Sequence, residues 1–183
     1  MTQCIALLRG INVGRAKRVT MADLRVLIED LGYSDVRTLL NSGNAVFQAS
    51  RPTVAKLASA IEAAIQGKFG FPAPVVVLTA RELNAIVAEN PLLQAAADPS
   101  KFLVAFVTAA ATLEKVKPLL AEAWAPDALA VGSKAAYLWC AHGIIASKLA
   151  QAFARVTADA ATTRNWATVL KLQATAGRSR NAA

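Results

Sequence analysis

The sequence predicts an α+β protein made of two similar halves, each built on an antiparallel sheet. Three observations carry this. An apolar run of strand length opens each half, at residues 3–9 and 102–108. Each half then carries a helix-period stripe and a strand–turn–strand segment, LLNSGNAVF in the first and LAVGSKAAYLW in the second. The length, 183 residues, lies between one large domain and two small ones.

Residues 3–9 read as a strand. Cys4, Ile5, Ala6, Leu7 and Leu8 are apolar without alternation, so both faces are expected to be covered. The loop Gly10-Ile-Asn-Val-Gly14 and a basic stretch to Arg18 follow. Thr20 is placed to cap a helix, with Asp23 three residues on. Leu24, Leu27, Ile28 and Leu31 form its stripe, and Gly32 ends it. Residues 36–40 form a short strand, Asn41, Ser42, Gly43 and Asn44 a turn suited to left-handed backbone, and residues 45–48 the returning strand. A helix over 52–66 carries Val54, Leu57, Ile61 and Ile65 on one stripe. The loop Lys68-Phe-Gly-Phe-Pro72 then leads to a β-branched strand over 75–78. The order β-α-β-β-α-β is the split βαβ, or ferredoxin-like, unit.

A helix over 81–89 closes at Asn90-Pro91. Residues 95–101, with Asp98-Pro99, mark the boundary between a subdomain over 1–95 and a second over 96–183. The second half repeats the plan: a strand over 102–108, a helix over 112–123 with Pro118 at a kink, and a hairpin of 129–131 and 135–140 about Gly132-Ser133-Lys134. A helix over 144–156 follows on the stripe Ile145, Leu149 and Phe153. Thr162 or Thr163 caps a last helix bearing Trp166, Val169, Leu170 and Gln173. Since 102–108 is also apolar on both faces, the second face of each sheet is expected to be covered, most simply by the other subdomain or a C-terminal helix.

Composition narrows the chemistry. Apolar types make up 55%, but 41 residues are alanine, which leaves an ordinary globular balance. One His and two Cys cannot supply a four-ligand zinc site, so neither a metal nor a cofactor is expected. Cys4 and Cys140 read as reduced thiols of a cytoplasmic protein. The opening MTQCIALLRG lacks a basic leader. No uncharged run exceeds that of residues 135–147, which is too short for the ~20 residues of a membrane span. The net charge of +8 lies at the chain ends: residues 1–18 carry +4, residues 134–183 carry +6, and the middle carries −2. That asymmetry fits an anionic partner, a phosphate-bearing ligand or nucleic acid. It fits equally a basic surface with a solvated Arg178-Ser179-Arg180 tail.

Four separated blocks are more specific. ALLRGINVG at 6–14, Met21 with Leu24, NSGNAVF at 41–47, and TTRNWATVLKL at 162–172 resemble the signatures of a bacterial family catalogued as domain of unknown function 1697. Lesser echoes are the EL…NP run from Glu82 to Pro91 and Ser147-Lys148-Leu149. The family's blocks look like LLRGINVGG and a QSGN turn, where this chain has Arg15 and Asn41. The resemblance implies an α+β fold of two ferredoxin-like subdomains and brings no activity with it.

Function is therefore argued from residues. In a split βαβ with right-handed crossovers, strands one and two run the same way. The first strand's exit loop, with Arg9, Gly10, Asn12 and Gly14, then shares a sheet edge with the turn Asn41, Ser42, Gly43 and Asn44. Lys68-Phe-Gly70 is placed there too. Glycines let backbone amides converge on an anion, and Arg9 adds a fork for phosphate or carboxylate. The competing reading is that these glycines serve turns alone. Arg164 and Asn165, at the start of the last helix, form a second place for an anion. Cys140 with His142 reads as packing and a turn rather than a thiol–imidazole pair. Glu29-Asp30 reads as a solvated helix end. No aromatic interleaves the first strand, so nucleic acid would meet the basic ends rather than stack on the sheet. The expected function is a non-enzymatic binding protein for a phosphate-bearing partner; the alternative is an enzyme acting on an anionic small molecule at the same edge.

Overall fold

The computed structural model describes residues 1–14, 17–50, 53–94 and 98–178; Arg15, Pro52, residues 95–97, Ser179 and Arg180 lie outside them. The described chain divides into two units, Met1–Leu83 with the described residues from Leu172 on, and Asn84–Lys171. Each contains a four-stranded antiparallel sheet and helices.

The first unit runs β1 (Thr2–Leu8), α1 (Met21–Asp30), β2 (Ser34–Leu39), β3 (Asn44–Ala49), α2 (Val54–Phe69) and β4 (Val75–Thr79). Its sheet order is β2-β3-β1-β4, the expected split βαβ. Cys4, Ala6 and Leu8 join Leu24, Ile28, Ile61 and Ile65 in one apolar cluster. Ile5 and Leu7, on the opposite pleat, are buried as well, so β1 has no solvated face. Burying each such side chain contributes about 1.5–3 kcal/mol. The Thr20 hydroxyl caps α1 by accepting from the Asp23 N–H at 3.0 Å. Two boundaries differ from expectation. Asn44 belongs to β3, opposite Leu7, rather than to the turn. Lys68 and Phe69 continue α2 rather than forming a loop, because Gly70 supplies the left-handed cap one residue later.

The helix α3 (Ala80–Glu89) crosses the division, and its second half belongs to the second unit. That unit continues with β5 (Phe102–Val107), α4 (Ala110–Val116), β6 (Ala128–Val131), β7 (Ala135–Trp139), α5 (Lys148–Thr157) and β8 (Ala161–Asn165). Its sheet order, β6-β7-β5-β8, repeats that of the first. The last helix, α6 (Trp166–Ala176), crosses the division again. Contacts within this unit reach back into α3, upstream of the segment at 95–101. The Tyr137 hydroxyl donates to the Ile86 carbonyl at 2.7 Å, and Ser133 donates to the Glu89 carboxylate. These bonds tie the end of α3 to the β6–β7 hairpin.

Three expectations for this unit are corrected. The 112–123 helix is α4 followed by a 3₁₀ turn over Lys117–Ala121, with Pro118, which lacks an N–H, at the turn's start. The 144–156 helix begins only at Lys148, where the Ser147 hydroxyl accepts from the Ala150 N–H; Ile145 is 93% exposed rather than on the buried stripe. Thr162 and Thr163 cap nothing. They lie in β8, where β-branched residues favour extended backbone and Arg164 pairs with Val104 of β5. Asn165 takes over the capping, its side chain accepting from the Thr168 N–H at 2.9 Å.

Candidate functional site

The first unit's topology carries the end of β1, the start of α1, the β2–β3 turn and the start of β4 to one sheet edge. Backbone bonds fix them there. The Leu8 N–H donates to the Gly43 carbonyl at 2.8 Å, and the Arg9 N–H to the Pro74 carbonyl at 2.9 Å. Left-handed backbone recurs along the β1–α1 loop, at Gly10, Asn12, Gly14 and Lys17, and in the turn at Leu40 and Gly43. A non-glycine residue in that region is uncommon, and its recurrence at one edge marks a loop held in shape by its partners.

Asn12 is the main brace. Its amide nitrogen donates to the Val19 and Asn41 carbonyls, both at 2.8 Å, while its oxygen accepts from the Val19 N–H at 2.9 Å. One side chain thus closes the loop on itself and pins it to the β2–β3 turn. The Asn44 amide is likewise spent on the turn, donating to the Leu39 carbonyl and the Ser42 hydroxyl at 2.9 Å each. It is fully buried. Asn12 and Asn44 therefore build the edge through their side chains and have little left with which to hold a ligand.

Beside this brace lies a cleft of about 340 Å³ lined by Asn12, Arg18, Val19, Thr20, Met21 and Asn41. Arg18 and Asn41 are exposed. Neither the Arg18 guanidinium nor the Asn41 carboxamide has a hydrogen bond or ion pair among the described residues. Arg9, half-buried where β1 ends, and Gly10, Gly14, Ser42 and Gly43 share the edge but do not line the cleft. The lining residues Arg18, Thr20 and Met21 went unrecognised as a site in the sequence. The available signal was position: Arg18 precedes the Thr20 cap by two residues, so it must sit where the loop returns to the sheet edge.

The second expected anion place has a different character. Arg164 is only 8% exposed, on β8, with its guanidinium donating to the Thr162 hydroxyl at 3.0 Å and the Thr163 carbonyl at 2.8 Å. Burial pushes its pKa down to about 10, so it remains a cation at neutral pH. Asn165 is committed to the α6 cap. Both belong to the second unit, whereas the loop edge belongs to the first.

Nucleophile chemistry finds no support in the thiols. Cys4 and Cys140 are both free and buried. Burial pushes the Cys4 thiol up to about 11 and raises that of Cys140 as well, which keeps both protonated near neutrality. His142 is exposed in the turn beyond Cys140. Asp127, which the sequence did not single out, organises that turn by accepting from the Ala141 N–H at 2.8 Å and the Ser147 hydroxyl at 2.7 Å. Among the described residues no group of three or more His, Cys, Asp or Glu could hold a metal ion, and no helix is long and apolar enough to cross a membrane.

Comparison with known proteins places the chain without naming an activity. No curated protein matches it. The solved structure of the conserved bacterial protein SP0830 from Streptococcus pneumoniae superposes with a TM-score of 0.80 at 22% identity, over 96% of this chain and 98% of that one. At that identity the likeness is one of fold. The family model described as "Protein of unknown function (DUF1697)" matches residues 1–137, taking in the 6–14 and 41–47 blocks and stopping short of 162–172. The chain belongs to that family.

Proposed function

We propose that the protein binds a phosphate-bearing ligand, a nucleotide or nucleic acid, at the loop edge of its first unit, without acting on it chemically. The observation that carries this reading is the Asn12 brace. It fixes the loop against the turn before any ligand arrives and leaves Arg18 facing a ligand-sized cleft. Such preorganisation lowers the ordering cost of binding. Left-handed residues at 10, 12 and 14 give the loop the backbone from which amide-lined anion nests are made. Arg9, Lys17 and Arg18 supply positive charge on a segment, residues 1–18, that holds no acid. Among the described residues, the cleft lining contains no carboxylate, imidazole or thiol, which favours binding over catalysis.

Thermal melts with and without phosphate, nucleotides and short oligonucleotides test this. Wild type should be stabilised by at least one of these anions. Arg18→Ala should weaken that affinity by roughly 1.5–3 kcal/mol, the range for hydrogen bonds to charged groups, and Arg9→Ala, outside the cleft lining, by less. Arg18→Ala should melt like wild type in anion-free buffer. A wild-type protein that none of these anions stabilises would return the edge to turn architecture.

A further inference from the structure

We propose that the ligand of the cleft is a small phosphate monoester of mononucleotide size, held by its one terminal phosphate, and not a nucleic-acid backbone. This rests on the anion-binding reading above and adds the ligand class to it. The cleft, about 340 Å³, lies at the lower end of small-ligand sites, which span roughly 300–1,000 Å³. That is room for a phosphate and one compact body.

Charge points the same way. Among the described residues that line the cleft, Arg18 is the one that carries a charge. Affinity for a polyanion grows with the number of phosphates neutralised, so a lone guanidinium gains little from a run of them. A terminal phosphate concentrates about −1.5 to −2 charge on three oxygens and suits a single fork. Among the described residues no aromatic lines the cleft, whereas single-stranded nucleic acid is gripped by aromatic platforms.

The remaining lining accounts for the neutral body. Thr20 is spent on Asp23, and Asn12 on Val19 and Asn41. Among the described lining residues that leaves two polar side chains with capacity, Arg18 and Asn41. The first is ionic. The second, a carboxamide, can both donate and accept. Met21 supplies a polarizable thioether that packs against the face of a ring. The division of labour is then phosphate on Arg18 and a neutral, hydrogen-bonding body across Met21 to Asn41.

Isothermal titration of the protein with inorganic phosphate, ribose 5-phosphate, the four ribonucleoside 5′-monophosphates and a ten-nucleotide single strand tests it. At least one mononucleotide should bind tenfold or more tighter than inorganic phosphate, and tighter than the oligonucleotide. Arg18→Ala should weaken every phosphate-bearing ligand tenfold or more. Asn41→Ala, which keeps the backbone carbonyl that Asn12 uses, should weaken the mononucleotide several-fold and leave inorganic phosphate unchanged. If inorganic phosphate binds through Arg18 but no mononucleotide improves on it, this inference falls and the anion-site reading stands. If the oligonucleotide binds best with a steep salt dependence, the ligand is a backbone and this inference again falls. If no anion binds at all, both readings fall together.

Discussion

Gly10 and Gly43 both take left-handed backbone, at φ 68° and 77°, yet they should respond differently to an added methyl. A Cβ at Gly10 would meet nothing within 4 Å, while one at Gly43 would lie 2.8 Å from Leu8 Cβ and Ile11 Cδ1. Gly10→Ala should therefore cost only the strain of the left-handed region, about 1–2 kcal/mol. Gly43→Ala adds overpacking of a further 1–3 kcal/mol or so. Urea unfolding of the two variants reads the difference; equal losses would show that the turn does not pack on β1 as described. A second prediction concerns Cys4. Its folded pKa, about 11, lies above the ordinary 9.0 because burial penalises the thiolate. Between those values the unfolded chain has released a proton that the folded chain keeps, so unfolding gains free energy as pH rises. The contribution is intact below about pH 9 and is lost toward pH 11. Wild type should lose stability over that window more steeply than Cys4→Ala, and the native thiol should resist a thiol reagent at pH 8. Parallel melting curves for the two proteins would contradict this.

At the scale of elements, the β6–β7 hairpin shows how a turn can hold an anion internally. The Ser133 N–H and hydroxyl donate to the two Glu89 oxygens at 2.9 and 3.0 Å. Gly132 is pressed so closely that a Cβ would fall 2.8 Å from Glu89 Oε2 and 3.0 Å from the Tyr137 ring. Gly132→Ala must displace the Glu89 carboxylate and break its bonds to Ser133, so it should cost more than Ser133→Ala, about 1–3 kcal/mol against 0.5–1.5. Tyr137→Phe should cost roughly 1–2 kcal/mol by leaving the Ile86 carbonyl without its donor. Denaturant midpoints check the order. The elements themselves were largely legible, because apolar runs and stripes report local periodicity. β8 was not. ATTRN carries polar residues and precedes an apolar stripe, so it resembles a helix cap; only pairing with β5 makes it a strand. Ile145 misled for the converse reason. Its spacing fits the α5 stripe, but Ser147 sets the helix start beyond it. The same limit applies at the loop edge. Glycines and asparagines announced a turn, but which amides were already spent, as in Asn12 and Asn44, is a tertiary fact.

For the whole molecule, the net charge of +8 has a consequence separate from the cleft. Its excess lies toward both ends of the chain, at residues 1–18 and 134–178 among the described residues, and one of those cations, Arg164, is buried. Diffuse surface attraction should fade over the physiological salt range as screening shortens to about 8 Å. Binding at a built site, with one phosphate engaged, should retain most of its affinity. Titrations at 50 and 200 mM salt separate these contributions. The central claim is that the loop edge of the first unit, rather than the basic surface at large, is where an anion goes. Backbone amide NMR during titration with inorganic phosphate at 150 mM salt locates the answer residue by residue. The account predicts the largest shifts at Gly10, Asn12, Gly14, Arg18 and Asn41, with Lys134, Lys148 and Lys171 nearly unmoved. Small shifts scattered over the lysines, with the loop no more affected than the rest, would contradict it.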